Sequence, residues 1–87
     1  MLRIFIHPSA NKELLKIPKE FRLAILEDIG KLRPLTHPLQ HRRVIKLRGR
    51  KTKDFRMRVG DYRVELILEE SDIIRVTQIE HRQAGYE

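Results

Sequence analysis

No cysteine occurs among the 87 residues, which excludes disulfide staples, thiolate zinc sites and a cysteine nucleophile. No apolar run reaches eighteen residues, and no basic helix carries a strong apolar face, so neither a membrane span nor a membrane-surface helix is expected. Met1-Leu2-Arg3 leads straight into a strand-like run without the apolar core of a signal peptide, giving the cytoplasm as the expected location. The four histidines, His7, His37, His41 and His81, show no close metal-ligand spacing, so no metal and no other cofactor is expected. Internal repeats, low-complexity segments and linkers are also lacking, and the length fits one domain, residues 1–87, with one modest core.

Acidic charge is scarce as well. Nineteen Lys+Arg against twelve Asp+Glu leave a formal charge of +7, and a pI near 10.3 lies in the range where a nucleic-acid footprint is considered.

The most informative stretch is DFRMRVGDYRVELIL, Asp54 to Leu68, which reads as a β-hairpin. Gly60-Asp61 separates two alternating runs, and Gly at the first central position suits a II′ turn. With a two-residue loop, Val59 lies opposite Tyr62, Arg58 opposite Arg63, Met57 opposite Val64, Arg56 opposite Glu65 and Phe55 opposite Leu66. One face is then apolar, and the other carries Arg56, Arg58, Arg63 and Glu65. Two arginines directly opposed repel unless water, salt or a ligand separates them, and a guanidinium fork matches phosphate oxygens bidentately. The alternative is a solvated strand face on which Glu65 neutralises one arginine.

Around this hairpin, Leu2 to Ile6 is a first strand ending at His7-Pro8. Ser9 is an N-cap for a short helix, Ala10 to Lys16, with Leu14 and Leu15 turned inward. Pro18 separates it from a second helix, Lys19 to about Arg33, whose stripe is Phe21, Ala24, Ile25, Ile29 and Leu32; Leu23 and Leu26 fall off it. Leu35 to Arg42 is a proline-containing loop. Val44 to Leu47 is a short strand, and Arg42, Arg43, Lys46, Arg48, Arg50, Lys51 and Lys53 form the densest basic run, with Gly49 at a turn. After an acidic connection, Glu69 to Asp72, comes a last strand, Ile73 to Ile79. The polar segment Glu80 to Glu87 follows, carrying His81, Arg82 and Tyr86. The expected class is α+β: a strand, a two-helix hairpin and a four-stranded antiparallel run in one sheet, helices on one face.

A basic hairpin face with a histidine, an arginine and a tyrosine on a terminal segment supplies the ingredients of RNA cleavage by 2′-hydroxyl attack. That reaction needs a base, an acid and cations for the charge gathering on phosphorus. His81 exchanges protons near neutral pH, Arg56, Arg58, Arg63 and Arg82 can hold phosphate, and Tyr86 can stack a splayed base.

Over essentially its whole length the sequence resembles the RelE/ParE superfamily of type II toxin-antitoxin toxins. The resemblance is carried by VIKLRG at Val44 to Gly49, DFRMRVGDYRVEL at Asp54 to Leu66 and HRQAGY at His81 to Tyr86. It implies a toxin that cuts messenger RNA in the ribosomal A site without a metal, and an acidic antitoxin as partner. Position by position, it gives Arg56 and Arg58 to basic residues that contact the phosphate and Arg63 to the arginine after the hairpin tyrosine. Arg82 matches the C-terminal arginine and Tyr86 the tyrosine that stacks on or activates the substrate; Arg42, Arg43, Lys46, Arg48, Arg50, Lys51 and Lys53 would face RNA and ribosome. Arginine stands at 56 and 58 where some RelE members have lysine, and its high pKa makes it a poor proton shuttle. His81 and Tyr86 therefore remain alternative acid-base groups. Inhibition of DNA gyrase, as in ParE members, and a non-catalytic or decayed RNA-binding role are the alternative functions.

Overall fold

Alternation of apolar and polar residues with a period of two builds most of this molecule. A computed structural model describes residues 1–47 and 54–82. In chain order these form β1 (Arg3–Ile6), α1 (Pro8–Lys16), α2 (Lys19–Gly30), a 3-10 turn (Pro38–Gln40), β2 (Val44–Lys46), β3 (Asp54–Val59), β4 (Tyr62–Glu69) and β5 (Ile73–His81). The five strands make one sheet in the order β1-β5-β4-β3-β2. β2 to β5 pair antiparallel, and β1 runs parallel to β5 at the far edge. This is the expected α+β arrangement.

The hairpin register is as the sequence predicts, with Val59 opposite Tyr62 and Arg58 opposite Arg63. Gly60 has φ of 59° and Asp61 has no positive φ, the combination of a II′ turn. Phe55, Met57, Val59, Val64, Leu66, Ile74, Val76 and Ile79 are buried beneath the helices together with Ala10, Leu14, Ile25, Ile29 and Leu32. Among the described residues no helix lies over the opposite sheet face.

Several boundaries differ from the sequence expectation. α1 begins at Pro8, and its cap is His7, whose ring accepts the Ser9 N–H; proline at the first helical position loses nothing by lacking an N–H. Only Leu14 points inward, since Leu15 is 62% exposed. α2 ends at Gly30 and gives way to turns that still deliver Leu32 to the core. Ile25, Ile29 and Leu32 form its buried stripe, while Phe21 and Ala24 stay exposed. Two short helices over a five-stranded sheet need only a narrow seam. β5 runs two residues beyond Ile79, so His81 belongs to the sheet and not to the terminal tail.

Candidate functional site: an arginine cavity on the open sheet face

Because side chains alternate, the strands that build the core also aim a second set of residues away from it. The register extends the arginine pair of the hairpin into a row. Arg43, just before β2, lies opposite Arg58, whose N–H donates to the Arg43 carbonyl at 3.2 Å. Arg58 faces Arg63, and Arg63 faces Glu80 on β5. The next row is Ile45, Arg56, Glu65 and Gln78. A β-bulge between Glu65 and Leu66 interrupts this ladder and increases the local twist of the sheet.

These rows floor an open cavity of about 670 Å³, lined by Arg43, Ile45, Arg56, Arg58, Gly60, Asp61, Tyr62, Arg63 and Arg82. Arg82 arrives there because its N–H donates to the Asp61 carbonyl at 2.6 Å, tying the chain after β5 to the hairpin turn. Arg58 Nε leans toward the Gly60 carbonyl at 3.4 Å. Arg63 lies 3.5 Å from Glu80. Arg56 Nε is buried and, among the described residues, has no hydrogen-bond partner. A buried N–H in that condition costs about 1–3 kcal/mol until an acceptor reaches it. Among the described residues five arginines and one carboxylate, Asp61, line the cavity, an arrangement chemically suited to anionic oxygens presented in pairs.

The structure thus brings together Arg56, Arg58, Arg63 and Arg82, and adds Arg43 from the basic run. It does not bring His81 to them. His81 pairs with Tyr62 across the ladder, their rings in edge contact at 5.0 Å, and Tyr62 in turn lies 6.0 Å from Phe21 of α2. The register places Tyr62 and His81 on the core-facing side, although Tyr62 also reaches the edge of the cavity. Lys46 shares a face with Phe55, and Arg42 does not line the cavity. Arg48, Arg50, Lys51, Lys53 and Tyr86 lie outside the described residues. Glu80, Ile45 and Asp61 were not evident from the motifs. Glu80 and Ile45 required the register of β5 and β2, and Asp61 the fold of the turn. Among the described residues no three His, Asp or Glu side chains gather as a metal site would require, and no helix is long and apolar enough to cross a membrane.

The α+β sheet with a two-helix cover is a RelE-like fold. The chain superposes on a chain of the RelB-RelE antitoxin-toxin complex from Methanococcus jannaschii with a TM-score of 0.78 at 22% identity, covering 94% of each chain. Against the archaeal RelE-RelB complex from Pyrococcus horikoshii OT3 the TM-score is 0.76 at 30% identity, over 93% of this chain and 94% of that one. For the RelBE2 complex from Mycobacterium tuberculosis it is 0.73 at 24% identity, over 93% and 98%. No curated protein matches the chain. The family of ParE toxins of type II toxin-antitoxin systems, parDE, matches residues 4–86. The chain belongs to that family, within the RelE/ParE superfamily, and is a type II toxin with a RelE-like fold.

Proposed function

We propose that this toxin is a ribosome-dependent messenger RNA endonuclease that stops translation by cutting the message in the ribosomal A site. The observation that carries this reading is the gathering of Arg43, Arg56, Arg58, Arg63 and Arg82 around one cavity on the uncovered sheet face. In the cleavage, the 2′-oxygen attacks phosphorus and the bond from phosphorus to the 5′-oxygen breaks. The products are a 2′,3′-cyclic phosphate and a 5′-hydroxyl. One proton leaves the 2′-hydroxyl and one reaches the departing oxygen, so no metal is required. The negative charge building on the non-bridging oxygens is what preorganised guanidiniums stabilise, each contributing on the order of 2 to 4 kcal/mol.

Arginine holds its proton too tightly to carry it across. His81 sits against Tyr62 on the covered side, which supports Tyr86 over His81 as the group that moves a proton or stacks a base. In this reading the basic residues Arg42, Lys46, Arg48, Arg50, Lys51 and Lys53 of the same stretch of sequence bind RNA and ribosome, a salt-dependent contribution. A cytoplasmic site of action follows from the target. The proposed neutralising partner is an acidic antitoxin, supported by the antitoxin-bound state of the solved relatives. Leu23 and Leu26, exposed on α2, suit an amphipathic helix laid across them.

The second reading is inhibition of DNA gyrase, favoured by the match to the ParE family. Cell-free translation with primer extension separates the two. Message cleaved only when ribosomes are present supports the nuclease. Blocked synthesis with intact message rejects it, and loss of supercoiling by purified gyrase selects the second reading.

A further inference from the structure

His41 plays no part in the chemistry above, yet its ring is only 9% exposed. It follows the 3-10 turn, where its own N–H donates to the Pro38 carbonyl and its carbonyl accepts from Val44 N–H, each at 3.1 Å. Its Nδ1 accepts the main-chain N–H of Arg43 at 3.1 Å. A backbone N–H can only donate, so Nδ1 is the acceptor and the ring proton sits on Nε2. That nitrogen lies 4.0 Å from Asp28 Oδ1 on α2, and the same carboxylate oxygen is 3.3 Å from Lys31 Nζ. The ring therefore has one end on a helix and the other on the backbone of Arg43. The Arg43 carbonyl, in turn, holds Arg58.

We infer that His41 is a positioning residue for the arginine cavity. It fixes the main chain at Arg43 so that this arginine enters the sheet opposite Arg58, with Asp28 of α2 lying near the other ring nitrogen at 4.0 Å. The inference rests on the proposed RNA site for its functional readout and on the hydrogen bond alone for its structural one. An asparagine at 41 can present an amide oxygen to the N–H two residues on, the span of an Asx turn. Glutamine is one bond too long for that span.

The test measures binding of a fluorescently labelled single-stranded RNA hexamer to the full chain by anisotropy, with amide hydrogen exchange at Arg43 followed alongside. H41A is expected to weaken RNA binding about threefold to tenfold, a typical range for one misplaced phosphate contact. R43A is expected to do the same, and the double variant H41A/R43A to be no weaker than R43A, the signature of action through one residue. H41N should bind as wild type and H41Q as H41A, which keeps the test decisive if H41A does not fold. Arg43 exchange should accelerate in H41Q and stay slow in H41N. Wild-type affinity in H41Q, multiplying losses in the double variant, or unchanged Arg43 exchange would each overturn the inference. A wild-type chain that binds no RNA would reject the RNA reading instead, leaving the exchange comparison to decide the role of His41.

Discussion

The two ends of the uncovered sheet face both carry arginine and treat it in opposite ways. At the end bounded by β1 and the β4-β5 turn, each arginine meets a carboxylate. Arg3 reaches Asp72 at 3.3 Å, and Arg75 binds Glu69 through two contacts of 2.8 and 3.1 Å while its guanidinium lies 5.7 Å above Phe5. The hydrogen bond to Glu69, then its charge, raise the Arg75 pKa above its ordinary value against a smaller opposing effect of burial. A raised arginine stabilises the fold at every pH below its unfolded pKa and loses that contribution only in strong alkali. Salt, not pH, is what weakens this pair from the arginine side. At the other end, among the described residues, five arginines share a cavity with one lining acid, and Glu80 meets Arg63 at 3.5 Å. Charge matched within the fold is structural, and charge gathered in excess of its counter-ions is available to a ligand.

Variants can break or sharpen that contrast. The largest effect should come from L66A, because Leu66 is 1% exposed in the core beneath both ends. Truncation there is expected to cost about 2–5 kcal/mol of stability, read as a lower urea midpoint with an unchanged slope, and to impair both ends together. Next come R63A and R82A. Each should slow ribosome-dependent cleavage about tenfold to a thousandfold, corresponding to roughly 1.5 to 4 kcal/mol of transition-state stabilisation, while the urea midpoint moves little. Equal toxicity of both variants and wild type in growing cells would contradict the site. The smallest change is expected of R75A at the matched end. It removes a partly exposed, solvent-screened ion pair, so thermal melting should shift by a few degrees at most and cleavage should be unaffected. A loss of cleavage in R75A comparable with that in R63A would erase the distinction between the ends.

Much of the site was legible because alternation is local. Arg56, Arg58, Arg63 and Glu65 share a face once Gly60-Asp61 is read as a two-residue turn, and no distant contact is needed to say so. Arg43 was legible only as one member of a basic run. That it joins the cavity while Lys46 does not follows from pairing Val44 with Met57, thirteen residues further along the chain. His81 shows the reverse limit of locality. Next to Arg82 in sequence, it reads as part of the same cluster, but β5 continues through it, and successive residues on a strand point to opposite faces. The helix stripe misplaced Phe21 and Ala24 for a related reason, since periodicity marks a face but not how much of it the sheet will cover.

By itself the sequence determined the class of fold, the hairpin with its turn type, the sign of the surface charge and which hairpin residues would point together, because these depend on residues a few positions apart. Only the tertiary structure decided that Arg43 and Arg82 close on the hairpin from opposite sides, that Glu80 faces Arg63 and that His81 turns to the helices. Those outcomes depend on strand order and register, which are fixed when distant apolar residues share one core, and no local pattern specifies them.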